Sequence, residues 1–210
     1  GLVGSEMCIR DSYKKEEYYM HKDYLEGLLT SNNVVANINT NINTLLFFIP
    51  EIKYMMNFDQ KHPCHNYDLW NHTLLTLYNA EELSYNDFDT RLALLLHDIG
   101  KPFSYQEGNI RHYPNHNIVS AKMAYTILKR LGYKEDYINL ITYLIKNHDK
   151  AISDELIRSD PELAQKLYQI QHCDVLAHSP QYAGKRTDYL YETNTKIQKT
   201  RVEKRSKIRK

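Results

Sequence analysis

The stretch FDTRLALLLHDIGKP, residues 88–102, decides the fold of this chain. Its central run of leucine and alanine is apolar on every side of a helix, which is typical of a helix buried in a core. We predict this helix at residues 88–98, with Gly100 ending it. His97 and Asp98 then lie at the end of a buried helix, where an ionised carboxylate is costly unless it is paired or binds a metal.

Residues on both sides of this stretch repeat their apolar positions every three or four residues, which is the spacing of amphipathic helices. No segment of useful length alternates apolar and polar residues as a half-buried strand would. We therefore predict an all-α fold with no sheet. Its main helices are expected at residues 68–82, 88–98, 115–131, 135–147 and 161–177.

The chain divides into four predicted segments. Residues 58–183 form the main domain, and residues 13–57 form a helical lead-in that Pro50 breaks into short pieces. Residues 1–12 are predicted to be non-native, because part of this segment back-translates into what looks like an adapter sequence from sequencing libraries; we expect the native chain to extend further upstream. Residues 184–210 form a basic tail, which we expect to be an exposed helix or a frayed end.

Composition places the chain among ordinary globular proteins, with 42% hydrophobic and 25% charged residues in 210. The three cysteines form no CxxC pair, which argues against a disulfide framework and favours a reducing cytoplasm. The longest apolar run, residues 45–50, is far shorter than the roughly 20 residues of a membrane-spanning helix, so no membrane partner is expected. No P-loop or GxGxxG motif is present, so bound ATP or NAD is not expected.

Charge is distributed unevenly along the chain. Residues 1–183 carry 17 Lys and Arg against 23 Asp and Glu, a net charge of −6, whereas residues 184–210 carry 10 against 3, a net charge of +7. The two values sum to the net charge of +1. A basic segment of this kind could contact RNA or another anionic surface, and a solvated helix end is the simpler interpretation.

Metal-ligating residue types continue the apolar stripes of several predicted helices. His72, His148 and Asp174 each extend such a stripe, so their side chains are directed at the core together with His97 and Asp98. Buried charges are paired or coordinate metals, and convergence on one point explains all five. The two oxygens of Asp98 could bridge two ions. Nitrogen and oxygen ligands without thiolate suit Mn, Fe, Ni, Co or Mg and argue against a closed structural zinc site.

The motifs around this cluster resemble the HD superfamily of metal-dependent phosphohydrolases. The string LLLHDIGKP, with YDLWNHTL upstream and NHD and HCDVLAHSP downstream, carries the resemblance over roughly residues 58–181. The residues that match the defining H…HD…D pattern are His72, His97, Asp98 and Asp174. His116 and His148 match two further histidines of the dinuclear members. The resemblance implies an HD-domain helical bundle that binds divalent metal ions, two of them in the dinuclear pattern, and hydrolyses phosphate esters.

A narrower resemblance links the chain to the HD domain of bacterial tRNA nucleotidyltransferases of the CCA-adding type. It rests on HDIGKP and on three further strings: NFDQKHPCHNYDLWNHT at 57–73, HYPNH at 112–116 and CDVLAHSPQ at 173–181. The Gly-rich motif and paired aspartates of the nucleotidyltransferase head are not in this sequence, so CCA addition is not expected of this chain alone. Either a head lies upstream or the chain is a free-standing HD protein. The GYP motif of cyclic-di-GMP phosphodiesterases is also missing, which argues against that branch.

The resemblance implies hydrolysis of nucleotides, 2′,3′-cyclic phosphates or RNA ends. Asp98 is the predicted catalytic ligand, and Lys101 is a predicted catalytic cation that stabilises charge on the phosphate. The predicted substrate-binding residues are Lys101, Arg111 and His178. Two alternatives stay open: a non-catalytic RNA-binding module whose basic tail contacts tRNA, and an HD-type hydrolase of dinucleotide polyphosphates.

The remaining histidines are interpreted as structural or solvated, which is the usual state of a lone histidine: His21, His62, His65, His112 and His172. His116 could cap the helix that it begins instead of binding a metal. Asp149 is either an orienting partner of the adjacent His148 or a surface charge.

Overall fold

Helices build the whole of the described fold. The computed structural model describes residues 21–208, and within that range there is no strand beyond one isolated bridge between Gln106 and His112. The predicted all-α fold class is therefore confirmed. Residues 1–12, predicted to be non-native, lie outside the described part of the chain. No helix within the described range is both long enough and apolar enough to cross a membrane.

The helices follow one another through short connectors. In chain order they are α1 (residues 21–29), α2 (Val34–Thr40), α3 (Ile42–Phe48), α4 (Leu69–Glu82), α5 (Phe88–Leu96), α6 (His116–Arg130), α7 (Glu135–Lys146), α8 (Asp154–Ser159), α9 (Pro161–Leu176) and α10 (Pro180–Ile208). Two 3-10 helices, η1 (Pro50–Tyr54) and η2 (Lys101–Phe103), follow α3 and α5. The predicted break at Pro50 is confirmed, and each of the five predicted main helices is present with its ends within two residues.

The central helix α5 ends at Leu96, two residues earlier than predicted. Beyond it the backbone turns through hydrogen bonds between residues three apart, such as Lys101 N to Asp98 O at 2.9 Å. Pro102 has no N–H with which to continue an α-helix. His97 and Asp98 therefore lie in the tight turn between α5 and η2, with both side chains buried.

The hydrophobic core surrounds α5, which packs against α4, α6, α7 and α9. Every side chain from Leu92 to Leu96 is fully buried. Two of the surrounding helices begin at capping aspartates: Asp68 accepts a hydrogen bond from Asn71 N at 2.9 Å, and Asp160 accepts one from Leu163 N at 3.0 Å. The two caps fix the residues at which α4 and α9 begin around the core.

A buried arginine joins the lead-in to this core. Arg91 on α5 is fully buried and donates hydrogen bonds to the carbonyl oxygens of Leu29, Ser31 and Tyr85 and to the side-chain oxygen of Asn86. Burial lowers the pKa of its guanidinium, which nevertheless stays charged because its ordinary pKa is so high. Protein oxygens take the place of water around this charge, and they hold the end of α1 against α5.

The predicted basic tail is most of α10, a helix of 29 residues that lies along α8 and α9. Leu190 and Ile197 are buried in the core, and their seven-residue spacing puts them on one face of the helix. Beside that face, Lys196 Nζ pairs with Asp154 Oδ1 at 3.0 Å. The expectation of an exposed or frayed end is therefore wrong for this face, because apolar residues at a helical repeat dock the helix on its neighbours.

We expect Ile197→Ala to lower the free energy of unfolding by about 2–5 kcal/mol, since it removes a fully buried side chain and leaves a cavity. The matched control Val202→Ala truncates a side chain on the same helix that is 67% exposed, and it should change stability by less than about 0.5 kcal/mol. Urea unfolding followed by circular dichroism measures both. Equal effects of the two substitutions would contradict the packing of α10 on the core.

Candidate metal centre

The turn after α5 brings two predicted ligands to those of two neighbouring helices. His97 and Asp98 lie in that turn, His72 lies in the first turn of α4, and Asp174 lies near the end of α9. His97 Nε2 is 3.2 Å from Asp98 Oδ2, and His72 Nε2 is 3.2 Å from Asp174 Oδ1 and 3.8 Å from Asp98 Oδ2. All four side chains are buried. The four residues of the H…HD…D pattern thus meet at one place.

A second group of ligands faces the other oxygen of Asp98. His116 begins α6, and His148 follows the end of α7. Their Nε2 atoms lie 3.4 Å and 3.7 Å from Asp98 Oδ1, whereas His72 and His97 face Oδ2. Asp98 therefore belongs to two groups that could each hold an ion. This is the arrangement expected of a bridging carboxylate.

Three of these histidines are held in one tautomer by the same backbone contact. In His97, His116 and His148, Nδ1 lies 2.6, 3.0 and 2.7 Å from the carbonyl oxygen three residues earlier. A carbonyl oxygen only accepts, so Nδ1 carries the proton and Nε2 of the neutral ring presents a lone pair to the cluster. The Nε2 atoms of His116 and His148 are 3.4 Å apart, and two lone pairs at that distance repel unless a proton or a metal ion lies between them.

Several buried atoms of the cluster make no hydrogen bond. They are His72 Nδ1 and Nε2, His97 Nε2 and Asp98 Oδ1. Buried polar atoms without a partner are rare in folded proteins, and a bound cation would satisfy those that face the cluster. Imidazole nitrogen and carboxylate oxygen together are a usual donor set for divalent ions. The residues present therefore fit divalent metal ions.

The electrostatics of the cluster suit metal binding. Burial opposes ionisation of Asp98, but the neighbouring His97 and Lys101 outweigh it and hold the pKa of Asp98 well below its ordinary value. The pKa of Asp174 is likewise lowered, with burial outweighed by the neighbouring histidines. Burial and the nearby His97 lower the pKa of His148 to about 4. At neutral pH both carboxylates are ionised and His148 is neutral, which are the protonation states of metal ligands.

Lys101, the predicted catalytic cation, is buried beside the shared carboxylate. Its Nζ atom is 2.7 Å from Asp98 Oδ2 and donates a hydrogen bond to Gln60 Oε1 at 3.0 Å. It also lies over the ring of Tyr113, at 5.2 Å from the ring centre. These contacts hold a positive charge at a defined point next to Asp98.

A cavity of about 250 Å³ opens beside the cluster. The three predicted substrate-binding residues all line it: Lys101, Arg111 and His178. His178 Nε2 is 3.5 Å from Asp174 Oδ1. The guanidinium of Arg111 pairs with Glu107 at 2.9 Å and stacks over the ring of Tyr105 at 4.5 Å. The cavity thus gives a ligand access to the metal-ligating groups.

The cavity wall also contains residues to which the sequence interpretation gave no role. They are His62, Cys64, His65, His112, Tyr113 and Arg186. His65 Nε2 lies 3.4 Å from Lys101 Nζ, and His65 forms a third close group with His72 and His178. The interpretation of His62, His65 and His112 as structural or solvated therefore misses their place in the wall. The three histidines lie in irregular segments without helical periodicity. In the sequence, only the string NFDQKHPCHNYDLWNHT indicated a role for His62 and His65.

The loop that carries His62 and His65 is anchored at the junction of α9 and α10. Ser179 Oγ donates to Asn66 Oδ1 at 2.8 Å, and Ser179 N donates to Cys64 O at 2.8 Å. Ser179 is itself buried. The start of α10 and this loop therefore form one side of the cavity together.

Two remaining sequence interpretations have a clear outcome. His172 is structural, since its Nδ1 lies 3.1 Å from the hydroxyl of Tyr85, away from the cluster. Asp149 lines the cavity and accepts a hydrogen bond from Asn117 Nδ2 at 3.2 Å. Nδ1 of His148 contacts the backbone carbonyl oxygen of Ile145, and not the carboxylate of Asp149.

The chain is thus an all-α bundle in which two groups of histidine and aspartate share one carboxylate and could each hold a metal ion. A family model described as "HD domain" matches residues 69–182, more than half of the chain. The chain belongs to the HD family, whose members are typically metal-dependent hydrolases. No curated protein matches it.

The ligand-bearing turn is packed directly against α6 at Gly100. Gly100 N donates to Ser120 Oγ at 2.9 Å, and a Cβ atom built on Gly100 would lie 2.4 Å from Ser120 N. That space is closed by backbone, which cannot rotate away as a side chain could. The distance from Asp98 to His116, at the start of α6, therefore depends on the fact that Gly100 has no side chain.

We expect Gly100→Ala to lower stability by about 1–3 kcal/mol and to weaken metal binding, since α6 must move away from the turn. The matched control is Gly184→Ala, in the helix α10, where a Cβ atom meets nothing within 4 Å. It should stabilise the protein by roughly 0.5–1 kcal/mol. Thermal unfolding and calorimetric titration with Mn²⁺ measure both effects. Unchanged metal affinity in Gly100→Ala would contradict the role of this contact.

Proposed function

We propose that this chain is a metal-dependent phosphohydrolase that acts on nucleotides, 2′,3′-cyclic phosphates or RNA ends. The observation that carries the proposal is the position of Asp98, which faces a pair of histidines with each oxygen at the base of a cation-lined cavity. Family membership supports the general activity, because HD domains are typically metal-dependent hydrolases. The resemblance of its motifs to the HD domain of bacterial tRNA nucleotidyltransferases is the reason why RNA ends are among the proposed substrates.

Two divalent ions are proposed, each held by its own group of ligands. His72, His97 and Asp174 would hold one ion, His116 and His148 would hold the other, and Asp98 would contact both. When bound, such ions supply Lewis acidity that polarises the phosphoryl group and makes water nucleophilic at neutral pH.

Side chains of the protein orient the metal ligands and place a positive charge near the phosphate. The Nδ1 contacts of His97, His116 and His148 fix the ring orientation, so that their Nε2 lone pairs are ready for a cation. Lys101 holds a positive charge at the base of the cavity, where it would stabilise the negative charge that builds up on the phosphate. Cys64 is disfavoured as a covalent nucleophile, because burial raises the pKa of its thiol.

The size of the cavity supports a substrate that enters by its phosphate end. Its volume of about 250 Å³ lies below the roughly 300–1,000 Å³ of pockets that enclose whole small molecules. A terminal or cyclic phosphate would reach the cluster while the nucleoside or the rest of an RNA strand stays at the mouth. This supports RNA ends and nucleotides equally and leaves dinucleotide polyphosphates as an alternative with the same phosphate chemistry.

A non-catalytic RNA-binding module is the alternative from another class. The basic charge of α10 favours it, but part of that charge is paired: Lys196 with Asp154 and Arg201 with Glu162. Lys204 Nζ also donates to a backbone carbonyl, that of Ser159, at 2.9 Å. Because these cations already have protein partners, less of the basic charge is free for an RNA phosphate backbone.

The two-ion arrangement predicts metal stoichiometry. We expect the wild type to bind about two Mn²⁺ ions per chain and His148→Ala to bind about one, since the substitution removes a ligand of one group only. The control His172→Ala removes an imidazole that contacts Tyr85 outside the cluster and should keep both ions. Elemental analysis after dialysis measures the content. A wild type that binds one ion would contradict the shared role of Asp98, and one that binds none would exclude the enzyme.

Asp98→Asn should abolish metal-dependent hydrolysis, because it removes the charge that both groups share while keeping the shape of the side chain. Lys101→Met should be milder and lower the rate by roughly 10²–10³-fold, as loss of one stabilising donor typically does. Asp136→Asn changes an exposed carboxylate on α7 in the same way and should have no effect. The assay uses Mn²⁺, Ni²⁺, Co²⁺ and Mg²⁺ with 2′,3′-cyclic AMP and simple phosphate esters. A metal-loaded wild type that hydrolyses none of these would contradict the proposed substrate class.

A further inference from the structure

The cationic side chains that line the cavity differ in how far their hydrogen-bonding capacity is used. Among the described residues there are three: Lys101, Arg111 and Arg186. Lys101 is held by Asp98 at 2.7 Å, and Arg111 is held by Glu107 at 2.9 Å. Both charges already have close partners, so either would have to break a protein contact to bind a ligand fully.

Arg186 on α10 is different, because part of its guanidinium is buried without a partner. Its Nη2 atom is buried and makes no hydrogen bond. Its Nη1 atom lies 3.5 Å from Asp174 Oδ2, longer than the about 2.7–2.9 Å of a charge-assisted hydrogen bond. Leaving a buried donor of a charged group unsatisfied is costly. The acceptor that this donor lacks would come from a ligand in the cavity.

We propose that Arg186 is a phosphate-binding residue, whose guanidinium contacts two non-bridging oxygens of the substrate phosphate beside the Asp174 side of the cluster. The inference rests on the proposed phosphohydrolase function and adds a residue to it. The planar fork of an arginine matches two oxygens of one phosphate, and its charge offsets the negative charge that the phosphate brings into the cavity. Helix α10, most of which follows residues 69–182 matched by the family model, would then form part of the substrate site.

The competing interpretation is that Arg186 is only a counter-ion for Asp174. That carboxylate has closer or equal partners already, since His72 Nε2 is 3.2 Å and His178 Nε2 is 3.5 Å from its Oδ1 atom. A counter-ion role would also leave Nη2 unexplained, because Nη1 makes the closest approach to Asp174 and Nη2 is buried without a hydrogen bond. The long contact to Asp174 instead orients the fork and leaves its second nitrogen for a ligand.

The test compares three variants of the full chain: Arg186→Met, Arg186→Lys and the control Lys185→Met. Lys185 is the exposed neighbour on the same helix, so its substitution removes the same charge from the surface. Binding of inorganic phosphate to the Mg²⁺-loaded protein is measured by calorimetry, and Mn²⁺ affinity is titrated separately. Thermal unfolding checks that each variant is folded.

We expect Arg186→Met to weaken phosphate binding by about 10- to 100-fold, the range for a hydrogen bond to a charged group. Arg186→Lys should recover part of the affinity, because it restores the charge without the fork, and Lys185→Met should match the wild type. The KM for a simple phosphate ester should rise with a smaller change in kcat, since the contact forms already in the bound substrate. Mn²⁺ affinity should change little.

The outcomes separate this inference from the proposed function. If Arg186→Met binds phosphate as the wild type does while esters are still hydrolysed, the role of Arg186 is wrong and the phosphohydrolase stands. A change in Mn²⁺ affinity with unchanged phosphate binding would establish the counter-ion role instead. If phosphate binding depends on Arg186 but no ester is hydrolysed, the anion site is real and the proposed function is wrong.

Discussion

The buried carboxylate of Asp98 is the constraint on which the rest of the site depends. Its side chain is 2% exposed, so the charge has lost its water and must be compensated by cations within contact distance. Each oxygen faces a different pair of histidines, and Lys101 contacts one of the two. The groups that surround it come from separate helices, which meet at one point only if the bundle packs as it does. The packing of the core therefore also assembles the site.

Ligands at the ends of helices allow one hydrogen bond to serve two purposes. The last turn of a helix leaves carbonyl oxygens without an intrahelical partner. His97 and His148 each follow such an end, and their Nδ1 atoms contact the carbonyl oxygens of Leu94 and Ile145 in that last turn. The contact orients the imidazole ring and also leaves Nε2 as the lone-pair donor toward the cluster. A carbonyl oxygen in the last turn of a helix thus prepares the ligand that follows the helix.

Helix α10 contributes both to the stability of the protein and to the shape of the cavity. Its buried face, with Leu190 and Ile197, docks it along α8 and α9, and its first turns lie where Arg186 reaches the cavity wall. Ser179, just before it, anchors the loop that carries His65. The ligand cluster itself comes from α4 to α9, whereas one wall of the cavity comes from this loop and α10. Different parts of the chain therefore provide the ligand cluster and this wall of the cavity.

By itself the sequence determined the helices and five of the candidate ligands, because both follow from local periodicity; the sixth, His116, came from the resemblance to the HD superfamily. An apolar stripe identifies a buried face, and a histidine or aspartate that continues the stripe must point to the same side, as His72 and Asp174 do. Only the tertiary structure decided the place of His65, the orientation of Arg186 and the docking of α10. Those features depend on contacts between residues far apart in the chain, and neither an irregular loop nor a mostly charged helix carries a periodic signal that identifies its partner.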